Sequence, residues 1–250
     1  MAVIIKSASE LALMRRAGGV VAATLAALAQ YVRPGITTAE LDQLAEATIR
    51  SLGGIPSFKG YRGFPASLCV SVNEEVVHGI PGRRVLREGE IVSLDVGAIY
   101  QGLQGDAAIT VPVGRVSAQM QNLMRVTQAA LMAGIEAARA GNRLGDVSAA
   151  IQRVAEAAGY SVVREYGGHG VGRAMHEDPH IPNWGEPGTG MLLKPGMTIA
   201  LEPMVNAGKH QVRVKADNWT VVTVDGLPSA HFEHTIAITE GEPEIMTVER

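Results

Sequence analysis

A pattern of helix signals occurs twice in this chain, about 106 residues apart. Gly35 falls on Gly141, Glu40 on Asp146, Leu41 on Val147 and Gly53 on Gly159, all positions that open or close helices. Ser7 with Glu10 and Thr37 with Glu40 both read S/T-x-x-E, the reciprocal cap of a helix N-terminus. They predict one helix ending near Arg33 and a second stopping at Gly53-Gly54, where glycine takes the left-handed turn. Strands are expected at 67–72, 91–99 and 103–113. The pattern then restarts with helices at about 117–140 and 144–158, followed by strands near 161–165, 197–205, 218–224 and 231–239. We read an α+β fold of two helix–helix–sheet halves, about 1–115 and 117–250, related by a pseudo-twofold. They share one antiparallel sheet backed by helices. A single catalytic domain over 1–250 is expected.

Composition narrows the class. Hydrophobic residues make up 46% and charged residues 19%, a globular balance. Net charge is −3 with no block of like charge, so the basic footprint of direct nucleic-acid binding is missing. Cys69 is the only cysteine, which excludes an intramolecular disulfide and fits a reducing compartment. The run 17–29 after Arg15-Arg16 imitates a signal peptide, but it is rich in Ala and Gly, begins after Glu10 and is too short to span a bilayer. A core-facing helix, no membrane partner and a cytoplasmic location are expected.

Residues 167–180 read GGHGVGRAMHEDPH, and the last five match H-E-x-x-H. On a helix that motif places two histidines on one face for zinc. Pro179 sits inside it, removing a backbone donor and clashing with the preceding turn, and it pushes Asp178 away from helical geometry. The glycines upstream read as strand and loop. Their spacing also fails the dinucleotide fingerprint, because Arg173 stands where the third glycine belongs.

Four acids lie where strands normally carry apolar residues. Asp95 interrupts Ile-Val-Ser-Leu-Asp-Val-Gly, and Asp106 opens Asp-Ala-Ala-Ile-Thr-Val. Glu202 and Glu233 read as mid-strand in Ile-Ala-Leu-Glu-Pro-Met and His-Phe-Glu-His-Thr-Ile. Aspartate is depleted in strands and costly to bury. A turn at Tyr100-Gln101 would pair residues whose numbers sum to 201, setting Asp95 opposite Asp106 with Cβ atoms ~5 Å apart. Each acid alone is more often a satisfied structural carboxylate. Together with His169 they make four carboxylates and one imidazole, more ligands and charge than one catalytic zinc takes. Such a set suits two divalent ions that share carboxylates and activate water.

At these residues the chain resembles the type I methionine aminopeptidases. The likeness is carried by Asn73-Glu-Glu-Val-Val-His-Gly-Ile-Pro, Asp95, Gly105-Asp106, Gly168-His-Gly-Val-Gly-Arg, His176-Glu-Asp-Pro, Glu202-Pro-Met and Phe232-Glu-His-Thr, which span nearly the whole chain. The resemblance implies the pita-bread fold. It implies a dinuclear centre on Asp95, Asp106, His169, Glu202 and Glu233, holding Co, Mn, Fe or Zn. It implies metal-assisted hydrolysis that removes the first methionine when the second residue is small, with Glu202 as proton shuttle. His78 and His176 then contact the scissile peptide, and His180 is a surface or pocket-rim residue. Phe58, Tyr61, Phe64, Cys69, Met175 and Trp219 are expected to line the methionine pocket. Further implications are nascent-peptide substrates, action near the ribosome and a monomer. The 31-residue gap from Glu202 to Glu233 and the lone cysteine match the short bacterial form. The chain's own start, Met1-Ala2, has the form of a substrate.

Three positions depart from the family pattern. Phe58 stands where Cys is common, Met175 where Phe is common, and His231 where Gln is common. His231, two residues before Glu233, is expected on the same strand face, close enough to tune the metals. His210 and His234 are expected to be structural or exposed. Two rival readings share the fold: a proline-directed aminopeptidase of the creatinase type, which usually has an added N-terminal domain, and a non-catalytic binding protein, which usually lacks ligands.

Overall fold

The computed structural model describes residues 3–249; Met1-Ala2 lies outside them. Both expected capping boxes form. Ser7 caps α1 (Ala8–Tyr31) with Glu10, and Thr37 caps α2 (Thr38–Ser51) with Glu40. In the second half, Ser117 caps α3 (Ala118–Ala137) and the Asp146 carboxylate accepts the Arg143 N–H at the start of α4 (Leu144–Ala157). The helix ends keep the sequence offset: Tyr31, Thr38 and Ser51 are followed 106 residues later by Ala137, Leu144 and Ala157.

α1 is long and apolar enough to cross a membrane by composition. It instead lays Met14, Ala17, Val21 and Leu28, all fully buried, against the sheet. The approach is close where Gly18 meets Gly105, since a Cβ on Gly105 would lie 2.8 Å from the Gly18 nitrogen. Apolar clusters lie beneath each helix pair. One joins α1 and α2 to Val70, Val92 and Leu94, and the other joins α3 and α4 to Ile199, Leu201 and Ile236.

The sheet is not single. Among the described residues, nine strands form the main sheet and two three-stranded sheets flank it. The main path runs Ile55–Pro56, Ile91–Tyr100, Leu103–Pro112, Glu233–Ala237, Thr198–Leu201, Gly167–Gly170, Glu177–Pro182, with Leu68–Val72 paired to Ile91–Tyr100 and Glu244–Ile245 to Glu233–Ala237. The expected strand at 197–205 is broken. Thr198–Leu201 belongs to the main sheet and Met204–Asn206 to a flanking one. Pro203 lacks an amide proton, so the ladder stops and the chain changes sheets. Residues 231–239 divide likewise at Phe232, into Ser229–His231 and Glu233–Ala237. The 218–224 strand shrinks to Val221–Thr223 because the Asp217 carboxylate accepts the amides of Trp219 and Thr220 and holds them in a turn.

The hairpin register also differs. Ile91 pairs with Pro112 and Tyr100 with Leu103, so paired numbers sum to 203 rather than 201. The turn residues are Gln101 (φ 47°) and Gly102 (φ 83°). A two-residue hairpin turn that follows the strand twist needs positive φ at both central positions, which Gly102 accepts without strain. Asp95 therefore faces Ala108, and Asp106 faces Gly97. The two-residue shift preserves parity, so both acids stay on one face, as diagonal rather than direct neighbours.

Candidate metal centre

The H-E-D-P-H stretch is extended, as its proline requires. Glu177–Pro182 forms an antiparallel hairpin with Gly167–Gly170, and His169 stands in register with His180. His180 is exposed and lines no part of the central cavity, whereas His169 is buried.

Two rows of side chains across the main sheet build the site. In the first, Cys69 pairs with Asp95, Asp95 with Ala108, and Ala108 with Glu233. Ala108 leaves open space between the two carboxylates. In the second, Asp106 is joined to Thr235 by hydrogen bonds, Thr235 pairs with Ala200, and Ala200 with His169. Glu202 follows Leu201, where the strand has ended, so it stands beyond the ladder rather than mid-strand, and Glu233 is the first residue of its strand. The ladder break lets both carboxylates turn into the cavity.

Asp95, Asp106, His169, Glu202 and Glu233 line one cavity of about 130 Å³. His169 Nε2 lies 3.5 Å from Glu202 Oε1 and 3.8 Å from Asp106 Oδ2. Donor atoms of Asp106, His169 and Glu233 all fall within 4.8 Å of one another. Asp95 Oδ1, Asp106 Oδ1 and Glu233 Oε1 are buried without a hydrogen-bond partner among the described residues. Buried carboxylates without partners are costly, and a divalent cation at their centre removes that cost. Burial lifts the Asp95 carboxyl to about 7. Burial first, then neighbouring acids, pushes Asp106, Glu202 and Glu233 well above the usual carboxylate range. Without cations the cluster would hold protons instead, and cations would displace them.

His169 is prepared as a ligand. Its Nδ1 lies 2.9 Å from the Gly170 carbonyl, which can only accept, so the proton stands on Nδ1 and the Nε2 lone pair faces the acids. Burial, aided by His176, holds this imidazole at about 3, and hence neutral. The donor set thus fits hard or borderline divalent ions.

His78, His176 and Arg62 complete the polar lining. His78 adopts φ 60°, a strained value for a residue with a Cβ, and burial holds its imidazole at about 4. His176 sits at the mouth, its ring 4.2 Å from that of His169 and its Nδ1 2.9 Å from the Tyr61 hydroxyl. Burial and then the Arg62 guanidinium push the His176 imidazole down. Arg62 was not singled out in the sequence, where an arginine between tyrosine and glycine carries no signal.

The residues expected to line an apolar pocket lie together, although Met175 is not in the cavity wall. Phe58, Phe64, Cys69 and Met175 form one buried cluster, with Tyr61 and Trp219 packed against it. Trp219 meets Phe64 edge to face at 5.0 Å and His78 at 6.4 Å. Met175 is fully buried behind the lining. The departures at Phe58 and Met175 meet over Gly97, where an added Cβ would lie 2.7 Å from Phe58 Cε1 and from Met175 Cε. A larger ring on one side is thus matched by a slimmer, adaptable side chain on the other. His231 does not share a strand with Glu233. It is nonetheless buried with Nε2 3.8 Å from Glu233 Oε2. His234 is partly buried, its Nδ1 2.8 Å from Thr247 Oγ1, and His210 is partly buried in a loop. A larger groove of about 710 Å³ runs beside α1, with Arg15, Arg16 and Tyr100 in its walls and none of the acid cluster among them.

Residues 12–240 match the metallopeptidase family M24. The chain is 56% identical to methionine aminopeptidase 1 of Bacillus subtilis, over 98% of this chain and 99% of that protein. It is 48% identical to methionine aminopeptidase 1 of Mycobacterium tuberculosis, over 97% of this chain and 94% of that protein. The crystal structure of methionine aminopeptidase from Thermotoga maritima superposes with a TM-score of 0.98 at 51% identity, covering 99% of this chain and 100% of that one. The prolidase of Pyrococcus furiosus superposes with a TM-score of 0.79 at 22% identity, covering 99% of this chain and 66% of that one, a likeness of fold alone.

Proposed function

The chain belongs to the metallopeptidase family M24, among its methionine aminopeptidases, and from that premise we propose that its cavity removes the first methionine from polypeptides whose second residue is small. One observation carries the reading: five potential metal-donor side chains line the same cavity as the apolar side chains of Phe58, Phe64, Cys69 and Trp219.

Asp95, Asp106, His169, Glu202 and Glu233 would hold two divalent ions. When bound, such ions acidify water and polarise a carbonyl oxygen. The chain's own groups do the rest. The apolar wall takes the methionine side chain, and the cavity volume of about 130 Å³ leaves little room beyond the scissile bond for a bulky second residue. Glu202, whose Oε1 stands in the cavity 3.5 Å from His169 Nε2, is placed to take a proton from the attacking water and deliver it to the departing amide nitrogen. In the tautomer that accepts the Tyr61 hydroxyl at Nδ1, the His176 proton stands on Nε2. That N–H can donate to the substrate carbonyl as negative charge develops. His78, held neutral by burial, is a second imidazole available to the scissile peptide.

Nascent chains near the ribosome as substrates, a cytoplasmic setting and a monomeric enzyme belong to the same proposal. The single, buried, unpaired Cys69 agrees with a reducing compartment. The deciding experiment strips the protein of metal and assays Met-Ala-Ser, Met-Leu-Ser and an Xaa-Pro peptide after each of Mn, Fe, Co and Zn is restored. Metal-dependent cleavage of Met-Ala-Ser alone is expected. Preference for Xaa-Pro would favour the proline-directed reading, and no cleavage with any metal would favour a binding protein.

A further inference from the structure

We propose that Lys6, in the segment preceding α1, is a positioning residue for His176, acting through Glu177; this rests on the role given to His176 above. Lys6 is 5% exposed, unusual for a lysine. Its Nζ lies 2.5 Å from Glu177 Oε2 and donates to the Ile4 carbonyl at 3.2 Å. Glu177 directly follows His176 and pairs with Gly170, which directly follows His169. Residues 171–176 are therefore a loop closed at its base by the Gly170–Glu177 pair, with the two imidazoles at its shoulders.

Other contacts also tie this loop down, among them Gln104 Nε2 donating to the Arg173 carbonyl at 3.3 Å and the Val171 N–H donating to the Thr198 carbonyl at 3.1 Å. The other Glu177 oxygen accepts the Ala174 N–H at 3.1 Å, and Gln104 N donates to the Gly172 carbonyl at 2.8 Å. Exposed Arg173 reaches Glu10 Oε1 at 2.5 Å. The Ala174 contact lies within the loop and moves with it, and the Arg173 pair is solvent-screened. Lys6 is different. Its own N–H donates to the Gly196 carbonyl at 2.8 Å, so it belongs to a segment anchored elsewhere. Gly172 packs on its stem, where an added Cβ would collide with Lys6 Cε and Nζ. A buried ion pair often contributes no more stability than apolar residues of the same volume. What the ammonium supplies here is a fixed point for the carboxylate next to His176, and so for the imidazole at the cavity mouth.

The test is a double-mutant cycle on the metal-loaded enzyme. Lys6→Met keeps the stem and removes the charge, and pairing it with Glu177→Gln avoids leaving a buried carboxylate alone. We expect the Lys6→Met/Glu177→Gln protein to keep its metal content and its KM for Met-Ala-Ser, while kcat falls about tenfold. In a His176→Ala background the same pair should change kcat less than twofold, because its route of action is gone. Unchanged kcat in the parent background overturns the proposal. So does an equal tenfold loss in the His176→Ala background, which would mean that Lys6 acts on the structure at large. A His176→Ala protein with parental kcat overturns both this inference and the reading it rests on, and the single variant separates that case from the other two.

Discussion

Asp106 and Thr235 hold each other across neighbouring strands: the Asp106 N–H donates to Thr235 Oγ1 at 2.9 Å, and the Thr235 hydroxyl donates to the Asp106 carbonyl at 2.8 Å. A side chain here takes the place of a backbone ladder, and it does so at a residue of the proposed metal site. Thr235→Val preserves shape but leaves two buried backbone groups unpaired. Stability should fall by ~1–3 kcal/mol, and metal affinity by about 10–100-fold. Urea unfolding and calorimetric metal titration would check this; parental metal affinity in that variant would show that the hydroxyl does not position Asp106.

The three histidines of the 167–182 hairpin should separate cleanly. His169→Ala loses metal. His176→Ala keeps its metals and most of its substrate binding, and loses ~10²–10³ in kcat, the typical cost of one donor to a developing oxyanion. His180→Ala, exposed and outside the cavity, changes little. Metal analysis with steady-state kinetics decides the assignment, and metal depletion in His176→Ala would reverse it.

Burial raises Asp95 to about 7 and lifts Asp106, Glu202 and Glu233 above the usual range. In the metal-free protein these acids release their protons later than in the unfolded chain. Their contribution to stability therefore falls as pH rises from about 4, through 7 and beyond. A bound cation ionises them outright and removes that loss. The Tm gain on adding saturating Mn to chelator-treated protein should thus be larger at pH 8 than at pH 5. A gain that is flat or shrinks with pH would count against a cluster that exchanges protons for metal.

The apolar wall is testable apart from the metals. Trp219→Ala removes the ring packed edge to face on Phe64. KM for Met-Ala-Ser should rise with metal content unchanged. Gly97→Ala, which drives a methyl into Phe58 and Met175, should also raise KM, and should lower Tm because overpacking strains the cluster. Parental kinetics in both would remove this cluster from substrate binding.

Local chemistry was legible in the sequence, and long-range geometry was not. Ser7 with Glu10 and Thr37 with Glu40 announced two helices because each box closes within one turn. Pro179 ruled out the zinc helix for an equally local reason. The register of the Asp95 hairpin was misplaced by two because the turn depends on Gln101 adopting positive φ, which its side chain does not announce. The break at Glu202 was signalled by Pro203, but a strand-like run on both sides hid it. His231 was expected beside Glu233 by period-2 spacing. It stays within 3.8 Å although the strand breaks between them, because both turn toward the same interior. Lys6 and Glu177 lie 171 positions apart, and nothing short of the fold brings them together.

The strands bearing Asp95 and Asp106 come from the first half of the chain, and those bearing His169, Glu202 and Glu233 from the second. Among the described residues, the main sheet joins them through two registered pairs, Glu233 with Ala108 and His234 with Ala107, supplemented by the Asp106–Thr235 and Thr110–His231 hydrogen bonds. Divalent ions on this donor set would then be mortar as well as reagent: Asp106 comes from one half and Glu233 from the other, so metal uptake would tie the halves together at the same moment as it supplies the chemistry.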